Sequence, residues 1–324
     1  MPTLPLHRHG LEASPLVLGC MHLGGEWNRQ PPTAEHVRRA HAVVDAALAM
    51  GINLFDHADI YTLGKSEQVF GQVLKERPGL RQNILLQSKC GIRFAEEGGA
   101  PGRYDFSREH IEGSVEGILS RLGVETLDVL LLHRPDPLME PEEVAAAFHQ
   151  LKTSGKVRHF GVSNMSAGQM KLLRAACDLP LVANQLEMSL DKLGWLETGV
   201  LVNQEGAASR GFPEGTFEYC RLEHIQVQAW GPLAQGLYSG RSLEGQPESV
   251  RHTAALVGRL AESKQTSREA IVLAWLMKHP AAIQPVIGTT HPDRIAACAD
   301  APRIQLTREE WYSLYVSSRG AALP

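Results

Sequence analysis

The chain has 324 residues, 43% of them hydrophobic, which is enough to bury a full α/β core and argues against intrinsic disorder. Its 32 basic and 36 acidic residues leave a formal net charge of −4, so there is no general attraction for nucleic acid or an anionic membrane. The opening MPTLPLHRHGLEAS lacks the apolar core of a signal peptide, and no run approaches the roughly 20 apolar residues that span a bilayer, so a cytoplasmic location is expected.

At the start, Leu4 to Leu6 and Leu11 to Ala13 flank the polar pair His9-Gly10 and predict a β-hairpin. Eight short β-rich runs follow: Leu16 to Gly19, Asn53 to Asp56, Ile84 to Lys89, Val129 to Leu132, Val157 to Ser163, Leu181 to Gln185, Ile225 to Trp230 and Ile283 to Ile287. Longer amphipathic stretches separate them. From Ala34 to Met50 the residues Val37, Ala40, His41, Val44, Ala47 and Leu48 keep helical spacing along one face. Ser107 suits a helix N-cap ahead of Ile111, Val115, Ile118 and Leu122, with Gly123 closing that helix. Pro141 and Gly155 bracket another. The segments Glu197 to Gly215 and Glu244 to Ser249 lack periodicity and read as loops, the first as a site-forming insert.

Eight βα units in one domain spanning 1–324 predict a (β/α)8 TIM barrel, with the hairpin plugging its N-terminal end and long loops on its C-terminal face. A doubly wound dinucleotide fold is disfavoured, because no GxGxxG turn follows the first strand. The five cysteines, Cys20, Cys90, Cys177, Cys220 and Cys298, are odd in number and scattered, with no CxxC pair or metal-ligand spacing. Buried thiols are expected, and no metal.

Barrel chemistry gathers at the C-terminal ends of the strands. NLFD ends at Asp56, ILLQSK at Lys89 and DVLLLH at His133, while Tyr61 follows Asp56 by five residues on the loop leaving the second strand. A carboxylate, an amine, an imidazole and a phenol thus converge on one rim. That set suits carbonyl reduction, in which hydride reaches carbon and a proton reaches oxygen. Lys89 would favour the phenolate of Tyr61, Asp56 would orient Lys89, and His133 would donate to the substrate oxygen. Taken singly, an Asp-Lys pair, a strand-end histidine and a loop tyrosine all have ordinary structural uses. Their convergence favours chemistry.

Seven segments carry a wider likeness: FDHADIYTLGKSE, QSKCG, LDVLLLHRPDP, GKVRHFGVSN, ANQLEMS, QAWGPLAQGL and PVIGTTHPDRI. In wording and order they resemble the aldo-keto reductases, and FDHADIY with the closing LTREEWYSLYVSSRG is closer to the bacterial YdhF-like oxidoreductases than to aldose reductases. The resemblance implies the same tetrad of Asp56, Tyr61, Lys89 and His133. It also implies that Ser163, Asn164 and Gln185 bond the nicotinamide carboxamide and that Trp230 stacks on the nicotinamide ring. Gly231, Pro232, Leu233, Gln235 and Gly236 would loop over the pyrophosphate. Gly288, Thr289 and Thr290 would open the last helix toward the 2′-phosphate of NADPH, with Arg294 as its cation. The pattern departs at His291, where lysine is frequent, and at Ala297 and Cys298, where a Glu-Asn pair is common. Trp27 is a candidate wall of the substrate pocket.

Two other readings remain: a lyase or aldolase forming a Schiff base on Lys89, and a cofactor-binding redox sensor or scaffold. The expected partner is a small carbonyl substrate, and the protein is taken to be a monomer.

Overall fold

A computed structural model describes residues 3–204 and 211–324. Eight parallel strands form a closed barrel: β1 (Val17–Gly19), β2 (Leu54–Asp56), β3 (Leu85–Cys90), β4 (Leu127–Leu132), β5 (Val157–Ser163), β6 (Leu181–Glu187), β7 (Gln226–Trp230) and β8 (Gln284–Ile287). Each strand pairs with its neighbours in sequence, and β8 returns to β1 through Val17 opposite Val286. All eight expected strands are present, with ends moved by one or two residues.

The outer layer contains α1 (Ala34–Ala49), α2 (Lys65–Glu76), α3 (Arg108–Leu122), α4 (Pro141–Thr153), α5 (Ala167–Ala176), α6 (Gly194–Val200), α7 (Thr216–Leu222), α8 (Glu248–Ser263), α9 (Arg268–Met277), α10 (Pro292–Cys298) and α11 (Arg308–Arg319). The first helix buries Ala40, Val43, Val44 and Ala47 on one stripe, while His41 sits at its edge and bonds Glu76 at 2.7 Å. Ser107 caps α3 by accepting from the His110 amide, and Gly123 ends it with a φ of 66°. Pro141 opens α4 at a position whose amide has no helical partner to lose.

The expected N-terminal hairpin is absent. Pro5–His9 form a 3₁₀ turn instead, closed by Gly10 at a φ of 72°. Proline at the first turn position pre-sets the helical φ, and glycine takes the left-handed stop that other residues resist. The plugging role survives the change of backbone. Leu6, Leu11 and Ala13 pack with Val17, Leu54, Val129, Leu131 and Val286 into a small apolar cluster apart from the main core, closing the barrel floor. A two-stranded hairpin, Ile92–Arg93 with Arg103–Tyr104, lies in the connection after β3.

The insert from Glu197 to Gly215 is also more ordered at its start than a loop. Glu197 to Val200 complete α6, and Glu197 is 2% exposed, bonded to Tyr315 and to Arg319 at 3.0 Å. A buried carboxylate needs such partners, so this part of the insert is tied to α11. Residues 205–210 of the insert lie outside the described residues. In the second expected loop, Glu248 already begins α8.

All five cysteines are buried and free. Among the described residues no helix is long and apolar enough to cross a membrane.

Candidate active site

The parallel register delivers the rim residues. Asp56 pairs with Gln87 across β2 and β3, and Lys89 pairs with Leu131 across β3 and β4, two residues short of His133. Alternation then matters: Gln87 and Lys89 lie on one face of β3, and that face is the barrel interior. The loop after β2 carries Tyr61 at the rim and then leaves it through three successive left-handed residues, Thr62, Leu63 and Gly64, before the next helix. A β-branched residue resists that region. Thr62 is held there by its hydroxyl, which bonds the Tyr61 carbonyl at 2.8 Å and Ser66 Oγ at 2.9 Å.

Lys89 Nζ is the hub. It donates to Asp56 Oδ2 at 2.7 Å, to the His57 carbonyl at 2.9 Å and to Tyr61 Oη at 2.9 Å. Lys89 is 1% exposed and Asp56 2%, so each charge depends on the other for compensation. Burial works against the ammonium, but Asp56 and Tyr61 outweigh it and hold Lys89 above its ordinary range. The Tyr61 phenol is also raised: burial dominates, and the Lys89 charge opposes it only in part. This reverses the sequence-based expectation of an acidified phenol, because withdrawal from water penalises the phenolate more than one neighbouring cation rewards it. His133 stands edge-on to Tyr61 with ring centroids 6.0 Å apart. Burial, helped by Lys89 and Arg134, lowers its pKa to about 2, so its imidazole is neutral at physiological pH.

On the far side of the mouth, Asn164 adopts a φ of 59° directly after β5, a conformation its short amide tolerates. Its Nδ2 donates to Ser163 Oγ at 2.8 Å and to the His133 carbonyl at 3.2 Å, and its Oδ1 accepts from the Trp230 indole at 3.1 Å. Ser163 Oγ in turn donates to the Gln185 carbonyl at 2.9 Å. Arg134 lies over the Trp230 ring, 5.6 Å from its centroid. Gly231, Pro232, Leu233, Gln235 and Gly236 follow Trp230 as an irregular turn, with Gly231 at a φ of 65° and Gly236 at 82°. Gly288, Thr289 and Thr290 lead into α10 rather than into the last helix, which is α11. Arg294, in the first turn of α10, is exposed. Cys298 is fully buried and bonds the Arg294 carbonyl, so it has no surface to offer a nucleotide. Trp27 is 47% exposed and meets Phe94 edge-on at 6.3 Å.

Three residue sets escaped the sequence reading. Gln87, Gln228 and Gln284 form a buried amide chain beneath the rim. Their signal was glutamine inside apolar strands, with Gln87 two residues from Lys89 and Gln228 two from Trp230, hence on the same faces. His57 is fully buried with both ring nitrogens unpartnered among the described residues, and burial with the nearby Lys89 charge lowers its pKa to about 3. Asp59 lies behind Tyr61 beside Glu67, which bonds Arg121 at 2.7 Å and Ser88 at 2.7 Å.

Burial and the Glu67 charge raise Asp59 to about 7, against the pull of Arg121. A carboxyl with its folded pKa above its unfolded one favours folding at low pH, and that contribution is lost as pH rises from about 4 to about 7. Asp59→Asn is therefore expected to leave the melting temperature unchanged near pH 4. At pH 8 it should raise it by roughly 2–4 °C per kcal/mol of relieved burial cost. Thermal unfolding across that range checks this, and equal effects at both ends would refute it.

The profile of the Aldo/keto reductase family matches residues 15–315. A 6-dehydroglucose reductase of Agrobacterium fabrum is 36% identical over 314 residues, covering 96% of each chain. The oxidoreductase YdhF of Escherichia coli is 33% identical over 317 residues, covering 97% of each. A solved aldo/keto reductase of Klebsiella pneumoniae, in complex with NADP and acetate, shares the fold with a TM-score of 0.72 at 22% identity, over 93% of this chain and 90% of that one. The chain belongs to the aldo/keto reductase family, whose members are oxidoreductases acting on small carbonyl compounds with nicotinamide cofactors.

Proposed function

We propose that this protein reduces aldehydes or ketones to alcohols with NADPH, or runs the reverse oxidation, with Tyr61 as general acid and base. The observation that carries this reading is Lys89 Nζ shared between Asp56 and the Tyr61 phenol. A raised phenol pKa keeps the proton on Tyr61 at neutral pH, ready to be given to a carbonyl oxygen. The Lys89 ammonium then stabilises the phenolate left behind, and Asp56 holds that ammonium in place. Neutral His133 serves as a hydrogen-bond partner for the substrate oxygen rather than as an acid. When bound, the nicotinamide supplies the hydride.

The residues on the opposite side of the mouth fit that cofactor. Gln185 uses its Nε2 within the protein, at 3.1 Å from Gln228 Oε1, while among the described residues nothing donates to its own Oε1. Ser163 and Asn164 stand beside it with further short polar groups, and Trp230 offers a flat ring held by its indole bond to Asn164. A Cβ built at Gly231 meets no atom within 4 Å, which leaves backbone open to a pyrophosphate. Arg294 provides an exposed guanidinium for the 2′-phosphate of NADPH. The Klebsiella relative binds NADP, which supports the same choice.

The Schiff-base reading loses support on geometry. All three donors of the Lys89 ammonium are engaged, its pKa is raised, and a nucleophilic amine needs the opposite. Against a cofactor-binding scaffold, the reading gains from a rim that spends two buried charges on orienting one phenol.

Fluorescence titration with NADPH and NADH tests the cofactor half. Arg294→Ala is expected to weaken NADPH by about tenfold, the value of one charged hydrogen bond, and to leave NADH unchanged. Absence of binding by either nucleotide would remove the oxidoreductase reading.

A further inference from the structure

Beneath the rim, four glutamines from four strands meet inside the barrel. Gln87 and Gln228 are fully buried and face each other as a reciprocal amide pair, Nε2 to Oε1 at 2.9 Å one way and 3.2 Å the other. Gln87 Nε2 also donates to Asp56 Oδ1 at 2.7 Å. Gln228 Oε1 accepts a second bond from Gln185 Nε2 at 3.1 Å, and Gln228 Nε2 donates to Gln284 Oε1 at 3.0 Å. Gln284 closes the chain at the floor by donating to the Ser14 carbonyl at 2.7 Å.

The directions in this chain are not free. An ionised carboxylate only accepts hydrogen bonds, so Asp56 requires the NH2 of Gln87. Both N–H groups of Gln87 are then spent, one on Asp56 and one on Gln228, which turns the Gln228 oxygen toward Gln87 and Gln185. That oxygen in turn requires the NH2 of Gln185. At the far end, therefore, Gln185 has its carbonyl oxygen left for a ligand.

We infer that the buried glutamine chain, set in direction by the Asp56 carboxylate at one end and the Ser14 carbonyl at the other, is a positioning device in which Gln228 fixes Gln185 as a hydrogen-bond acceptor at the mouth, and so selects an amide over a carboxylate on the bound pyridine ring. The inference rests on the nicotinamide reading above. A carboxamide presents an N–H to Gln185 Oε1, whereas the carboxylate of a nicotinic acid nucleotide meets an acceptor with an acceptor. Reversing Gln185 to suit the acid breaks its bond to Gln228 and sets two oxygens against each other, a conflict that propagates back to Asp56.

The test compares binding of NADP+ and nicotinic acid adenine dinucleotide phosphate, followed by tryptophan fluorescence. Wild type, Gln87→Met and Gln228→Met are compared, with folding checked by circular dichroism. Wild type is expected to prefer the amide by roughly tenfold to hundredfold. In Gln228→Met Gln185 is released to turn, so the acid nucleotide should bind more tightly than it does to wild type, narrowing the preference by about tenfold, whereas in Gln87→Met the Ser14 carbonyl and Gln284 still hold Gln228, so the preference should stay. General damage to the barrel weakens both ligands and does not produce a gain for one. Adenosine 2′,5′-bisphosphate, which lacks the pyridine, should bind all three proteins alike. Wild type binding both nucleotides equally overturns the relay whether or not the variants fold, as does an unchanged preference in folded Gln228→Met. Failure of wild type to bind any of the three nucleotides instead removes the cofactor reading on which the relay rests.

Discussion

Tyr61→Phe is expected to lower carbonyl reduction by roughly 10²- to 10⁴-fold while NADPH still binds. The substitution removes one oxygen from a ring whose edge contact with His133 and position above Lys89 depend on the carbons. Folding should survive, because the hydroxyl's partner, Lys89 Nζ, keeps Asp56 and the His57 carbonyl. Steady-state rates on a panel of aldehydes and ketones, set beside NADPH titration, give the answer. Retention of most activity would show that the proton comes from elsewhere, and loss of binding together with turnover would mean that the hydroxyl supports the cofactor site rather than supplying the proton. The pH dependence follows from the raised phenol: reduction should hold across neutral pH and fall only on the alkaline side, as Tyr61 loses its proton.

Lys89→Met should be the more damaging change to the fold. It leaves the Asp56 carboxylate 2% exposed and without its cation, a loss of about 3–5 kcal/mol where a buried pair is broken from one side. Reduction should also collapse, since nothing then stabilises the phenolate of Tyr61. The double variant Lys89→Met with Asp56→Asn separates the two effects. Its neutral amide removes the stranded charge and can still accept from Gln87, so most of the lost stability should return while activity does not. Denaturant unfolding and turnover measured on the same preparations check this. Recovery of activity in the double variant would contradict the proposed role of Lys89. Failure to recover stability would mean that the Lys89 contacts, rather than its charge, support the rim.

These two experiments probe residues that the strand ends and the loop after β2 pointed out. Asp56, Lys89 and His133 each terminate an apolar run, and a parallel barrel places such positions on one rim whatever the loops do. The sequence therefore determined the barrel, its eight strands and the gathering of these groups with Tyr61, because alternation and helical periodicity are local patterns that direct burial. The N-terminal turn was misread for a local reason, since apolar pairs around His9-Gly10 suit a hairpin as well as a 3₁₀ turn, and the packing of Leu6 and Leu11 into the barrel floor chooses between them.

What only the tertiary structure decided was the environment of each group. Desolvation depends on everything that surrounds a side chain, so it took the folded barrel to raise the Tyr61 phenol against Lys89 and to lower His133 to about 2. The glutamine chain is the same lesson in hydrogen bonds. Gln87 and Gln228 lie 141 positions apart in sequence, and only closure of the barrel brings their amides to 2.9 Å and gives the chain from Asp56 to Gln185 a direction.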